Sequence, residues 1–137
     1  MANQETLRTR QQKYAADIFQ RVEAFGNQHP MQSMARRKYG AMAHKLPVLV
    51  RTAGLAQALA FVATRGDTAQ QRLLQDLAQT LDYPDDKALL DASRTLAFYE
   101  YLRLSQKVMA ALLWYKRFAQ SVLGVEPGEE DEDGGTA

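Results

Sequence analysis

The sequence predicts an all-α protein: a compact bundle of five to six helices followed by an acidic C-terminal tail that should be disordered. Three observations carry this. Apolar residues recur at spacings of three, four or seven along most of the chain. Alternating β-branched runs bounded by turn residues, the mark of strands, are nearly absent. Gly, Pro and Asp clusters punctuate the periodic segments at helix-length intervals. At 137 residues the chain is long enough for one domain with a real core.

The first helix is expected from about Gln4 to Asn27, where Leu7, Tyr14, Ile18, Val22 and Phe25 share a face. "GNQHP" (Gly26 to Pro30) ends it. A second helix is predicted from about Met31 to His44, with Met31, Ala35, Tyr39 and Met42 on its apolar side. Pro47 fits the first turn of a third helix, where its missing N–H does no harm. That helix should reach Arg65 and end at Gly66. "GDTAQQRLLQDLAQTL" restarts the chain with Asp67 or Thr68 as cap and a capping-box spacing from Thr68 to Gln71. Leu73, Leu74, Leu77, Ala78 and Leu81 then form one stripe. "DYPDD" is a turn, with Asp85 or Asp86 as the next cap.

From Lys87 to Leu123 there is neither Gly nor Pro. One straight helix over that span would be about 55 Å long, too long for a domain of this size. A break is therefore expected near Ser93 to Thr95, where polar residues interrupt the stripe. The last helix shows Tyr101, Leu104, Val108, Leu112, Tyr115, Ala119 and Val122 on one side, and Gly124 ends it. The domain is thus residues 1–124. Residues 125–137, acidic and poor in apolar groups, form the tail.

The net charge of +1 conceals an asymmetry. Residues 1–124 hold all 17 Lys and Arg against ten acids, a net +7, and the tail holds the other six acids. Between Glu23 and Asp67 there is no acid at all, while Arg36, Arg37, Lys38, Lys45, Arg51 and Arg65 fall in that interval. Such a run favours an anionic partner; the plain alternative is a solvated face.

The apolar stretch "HKLPVLVRTAGLAQALAFV" contains Arg51, with Lys45 and Arg65 beside its ends, so it reads as a core helix and not a membrane span. The N-terminus has no apolar signal-peptide core. Phosphate-loop, dinucleotide, zinc-protease and nucleophile-elbow motifs are missing. Two histidines, no cysteine and no Glu-x-x-His pair give poor material for a metal. No catalytic residue, cofactor or metal is therefore assigned. Asp85 and Asp86 are explained as turn and cap residues. Trp114, in "LLWYKRFA", is expected to anchor the core rather than stack on a base.

On one continuous helix from Pro47, Arg51, Ala58 and Arg65 would lie within about 40° of one another. Gly54 would fall near the same line, at a cost of about 1 kcal/mol relative to Ala, repaid by close approach of another helix or a ligand. The free N–H groups at the start of that helix, next to His44 and Lys45, would favour an anion.

"YGAMAHKLPVLVRTAGLAQALAFV" and, far downstream, "YLRLSQKVMAALLWYKRFAQSVLGVE" resemble the small subunit of the type III-B (Cmr) CRISPR effector complex. The matched features are Tyr39, Leu46-Pro47, Gly54-Leu55, and Trp114 with Lys116-Arg117-Phe118-Ala119, within roughly residues 10–125. The resemblance implies a small, helical, non-catalytic cytoplasmic protein. Its partners would be the guide RNA and target RNA, the backbone and large subunits of the complex, and copies of itself in a short filament. Guide pairing would supply sequence selection. The candidate RNA-binding residues are then Arg36, Arg37, Lys38, Lys45, Arg51, Arg65, Lys116 and Arg117. A helical adaptor with no nucleic-acid contact, and the equivalent type III-A small subunit, are the competing readings.

Overall fold

The computed structural model describes residues 8–128, and within them the chain forms six α-helices and no strand. The first, α1 (Arg10–Gln28), begins at Thr9. The Thr9 hydroxyl accepts from the Gln12 N–H, and the Gln12 side chain accepts from the Thr9 N–H. This reciprocal cap starts the helix six residues later than the apolar pattern predicts. Leu7 lies outside the described residues. Ile18, Val22 and Phe25 are buried as expected.

The second helix overturns a prediction. α2 (Met34–Ala53) starts at Ser33, whose hydroxyl accepts from the Arg36 N–H, and runs without interruption through His44 and Pro47. Met31 lies before it and is exposed. The expected boundary between His44 and Pro47 does not exist. Pro47 withholds one helix hydrogen bond and costs about 3 kcal/mol in a helix interior. Continuation keeps Tyr39, Met42, Leu46 and Val50 on one buried face, each contributing about 1.5–3 kcal/mol. The face outweighs the proline.

The chain breaks instead at Gly54, with φ 89° and ψ 159°, a region essentially closed to residues with a Cβ. Gly54 is therefore a hinge between two helices, not the mid-helix close-packing site expected from sequence. The nearest atom to a Cβ placed there would be the Tyr101 hydroxyl, 3.8 Å away. That same hydroxyl accepts from the Ala56 N–H at 3.2 Å and so caps α3 (Leu55–Arg65), which has no side-chain cap of its own.

α4 (Thr68–Thr80) opens on Asp67, which forms a reciprocal box with Gln70, one residue earlier than the predicted Thr68–Gln71 pair. α5 (Asp86–Thr95) is capped by Asp85, whose carboxylate accepts from the Ala88 N–H at 2.9 Å. The expected break in the long helical stretch falls at Leu96 and Ala97, just past the predicted Ser93 to Thr95. α6 (Phe98–Ser121) follows.

α6 is the spine. α2 runs antiparallel to it, tied by Gly54 near Tyr101 at one end and His44 against Val125 at the other. α1 packs on another flank: Trp114 Nε1–H donates to the Gln11 side chain at 3.0 Å, and Phe118 meets Phe19 edge-on at 5.4 Å. Trp114 is half-buried at this seam and stacks on Phe118, an anchor between two helices. Tyr39, Tyr115, Phe25, Leu46, Leu59 and Leu112 are among the side chains that fill the centre.

Candidate nucleic-acid interface

Continuity of α2 rearranges the predicted basic stripe. Arg51 and Arg65 stand on different helices, so the expected Arg51–Ala58–Arg65 line is broken at Gly54, and Ala58 is buried. The helix start expected beside His44 and Lys45 is likewise absent, and with it the anion-favouring N–H groups there. In their place, Arg37, His44 and Arg51 are seven residues apart on a single helix. At about 100° per residue each falls some 20° from the last. Lys38 and Lys45 flank this line on one side. No acid occurs anywhere on α2 or α3.

The eight candidate cations do not share one environment. Arg51 and Arg65 are exposed; Arg37, Lys38 and Lys45 are half-buried. Arg65 lies over the Phe61 ring, 6.0 Å from its centroid. Lys116 and Arg117 are exposed on α6. Lys116 is two residues from both Trp114 and Phe118, so it projects away from the α1 seam.

Arg36 is different: it is only 9% exposed, and its guanidinium donates to main-chain carbonyls. Nη2–H reaches the Gly26 carbonyl at 2.7 Å and Nε–H the His29 carbonyl at 2.8 Å. Both belong to the C-terminal turn of α1, which has no basic residue of its own. A further donor reaches the Leu123 carbonyl at 3.4 Å. Arg36 thus ties together the ends of α1 and α6.

His44, expected from sequence beside a helix start, is also buried. Its Nε2–H donates to the Val125 carbonyl at 2.8 Å, and its buried Nδ1 has no hydrogen-bond partner among the described residues. Val125, assigned by sequence to the tail, is 2% exposed and lies on the backbone of Gly40. A Cβ at Gly40 would come within 2.5 Å of the Val125 Cβ. Gly124, at φ 72°, turns the chain into this position, and the Val125 N–H donates to the Ala119 carbonyl at 2.9 Å. The chain leaving α6 is therefore clasped to the middle of α2. From residue 129 onward the predicted disordered tail lies outside the described residues.

A second cluster was not foreseen from sequence. The Tyr39 hydroxyl donates to Asp76 Oδ2 at 2.7 Å, and Arg72 Nε–H donates to Oδ1 at 3.2 Å. Nearby, Thr80 bonds the Tyr115 hydroxyl and the Asp17 carboxylate, and Asp17 pairs with Arg21. Burial pushes the Asp76 carboxyl up from its usual range, against the downward pull of the Tyr39 bond and Arg72. Burial also raises the Tyr39 and Tyr115 phenols well above theirs. A polar residue inside the leucine stripe "LLQDLAQTL" is the signal that could have found Asp76. Its partners lie on other helices and could not be read from it. The arrangement joins α1, α2, α4 and α6 through satisfied polar groups.

Among the described residues no group of three or more His, Asp or Glu side chains converges to hold a metal. No described helix is long and apolar enough to cross a membrane.

The fold and site define a class: a small all-helical protein organised around one acid-free cationic helix. Comparison with known proteins narrows it. The family described as CRISPR-associated protein (Cas_Cmr5) matches residues 10–122. The CRISPR system Cmr subunit Cmr5 of Thermus thermophilus is 45% identical over 117 residues, which cover 85% of this chain and 98% of the relative. A crystal structure of a CRISPR-associated Cmr5 family protein from Thermus thermophilus matches with a TM-score of 0.78 and 45% identity, over 85% of this chain and 99% of that one. The chain belongs to the Cmr5 family, the small subunits of the Cmr (type III-B) CRISPR system.

Proposed function

We propose that the protein is the non-catalytic small subunit of a type III-B effector ribonucleoprotein in the cytoplasm. It stacks with copies of itself in a short filament along the guide RNA–target RNA duplex, beside the backbone and large subunits. Its own contribution is protein–protein contact and sequence-independent attraction to the RNA backbone. The observation that carries this is the continuous α2, which sets Arg37 and Arg51 on one line, flanks them with Lys38 and Lys45, and contains no acid. Contacts of that kind position a duplex without reading bases. Lys116, Arg117 and Arg65 extend the cationic surface on α6 and α3. Arg36 is left out, because its donors are used inside the fold.

The test is RNA binding by fluorescence anisotropy over a range of salt. Affinity should fall steeply with salt, and the double variant Lys45→Ala/Arg51→Ala should reduce the log–log slope by up to about 2. A slope unchanged in a variant that is still folded would remove α2 from the interface.

A helical adaptor without RNA contact is the second reading. Phe98, Tyr99, Leu102 and Leu113 are 67%, 76%, 41% and 53% exposed. Phe98, Leu102 and Leu113 fall on one side of α6, a surface suited to a partner helix. On that reading co-assembly with partner subunits would be insensitive to the Lys45 and Arg51 substitutions.

A further inference from the structure

The outward side of α6 is apolar where a solvated helix is ordinarily charged. Leu104, Val108, Leu112 and Tyr115 turn inward and are buried. Away from them, Phe98, Leu102 and Leu113 are exposed and Met109 is half-buried. At about 100° per residue these four fall within some 60° of one another. Tyr99 stands at the edge of this stripe, its ring edge-on to Phe98 at 5.5 Å. The other outward positions between Phe98 and Leu113 are Ser105, Gln106 and Ala110, so the stripe holds no charge over about four helical turns. Glu100, Arg103 and Lys107 are gathered on one flank, where they line a cavity with Leu96 and Leu104. A polar face belongs on the solvent side of a helix, and an exposed apolar one marks a contact.

Phe98, Leu102, Met109 and Leu113 are separated by four, seven and four residues, intervals that read the same from either end. We propose that the free protein pairs with a second copy of itself through α6, the two helices antiparallel about a two-fold axis between Ser105 and Gln106. In that register Phe98 of one copy meets Leu113 of the other, and Leu102 meets Met109, each contact occurring twice. Side chains at such spacings interdigitate in packed helix pairs. At the axis only the uncharged Ser105 and Gln106 face their counterparts, so no like charges are brought together. A helix of an unrelated partner would place no such symmetry on the intervals. The seam is about 22 Å long. One helix pair makes an interface below standard size, so association in the range of about 10–100 µM is expected. The two-fold axis closes the pair at two copies. It is therefore distinct from the open filament proposed above and does not rest on it.

Sedimentation of the full chain between about 5 and 500 µM should show the mass rise from the 15.4 kDa of one chain towards twice that value. Leu113→Glu puts a carboxylate into the seam twice over and should weaken association at least about tenfold. The register has its own readout. The chain has no cysteine, so Gln106→Cys introduces a single thiol. That thiol lies beside the axis and should form a disulfide with its counterpart on mild oxidation. Arg117→Cys, roughly 34 Å from its counterpart along the pair, should not. Gln106 and Leu113 are exposed, so both variants leave the core intact. A concentration-dependent dimer that is joined through position 106 and weakened by Leu113→Glu supports the proposal. A monomer over the whole range assigns the stripe to a helix of another protein and overturns it. A dimer or larger oligomer whose thiols at position 106 stay unjoined, or which Leu113→Glu leaves unchanged, overturns it as well.

Discussion

The hydroxyl of Tyr39 on α2 donates to Oδ2 of Asp76 on α4 at 2.7 Å, with both side chains buried. This bond and the Arg72 donor on the other oxygen are what make a carboxylate tolerable there. Asp76→Ala would leave the Tyr39 hydroxyl buried without its acceptor, so a loss of about 2–4 kcal/mol is expected by urea denaturation. Asp76→Asn, which keeps one acceptor, should lose less.

The same carboxyl predicts a pH dependence. Its folded-state pKa is raised by burial, so the folded protein binds its proton more tightly than the unfolded chain does. Its contribution to stability is full below the unfolded value of about 3.9 and is lost as pH rises through the folded value. The stability of the native protein minus that of Asp76→Asn should therefore grow as pH is lowered from 7 towards 4. A difference that shrinks over that range would contradict the assignment.

Gly54 offers a test by sign. At φ 89° and ψ 159° an added Cβ is strained, and Gly54→Ala should destabilise by about 1–3 kcal/mol. In an uninterrupted helix the same substitution would stabilise by about 0.5–1 kcal/mol. The direction of the shift in the urea midpoint decides between them.

Gly40→Ala addresses the clasp. The new methyl would overlap Val125, whose Cβ and both Cγ atoms lie within 2.7 Å of it. Expulsion of Val125 forfeits the burial of that side chain, about 1.5–3 kcal/mol. Hydrogen exchange at the Val125 amide, which bonds to Ala119, should accelerate in the variant and stay slow in the native protein.

Arg36→Met separates a structural cation from a surface one. Loss of the guanidinium leaves the Gly26 and His29 carbonyls without that donor, at an expected cost of about 2–4 kcal/mol. The salt slope of RNA binding by the folded variant should not change, in contrast with Lys45→Ala/Arg51→Ala.

Much of this protein is local and therefore legible in its sequence. Ile18, Val22 and Phe25 share a face because helical geometry puts them there, and that holds before any packing. Asp85 caps α5 because a carboxylate can accept from an N–H three residues on. The absence of acids from Glu23 to Asp67 is a property of the chain itself, and so is the acidic run after Gly128.

Tertiary structure decided the rest, wherever a local preference competed with burial. Pro47 taken alone signals a helix start, but Leu46 and Val50 bury on the same face as Tyr39 and Met42, and that face carries the helix through to Gly54. Arg36 and Arg37 are adjacent and chemically identical. Both line one recess, but Arg36 is buried by carbonyls from α1 and from Leu123, while Arg37 is only half-buried. Val125 belongs to an acidic, Gly-rich segment by composition, and to the core because Gly40 leaves room for it. Periodicity and caps are written within a few residues of one another. Which cation faces the solvent, and where the acidic segment leaves the fold, depend on groups distant in sequence that only the packed helices bring together.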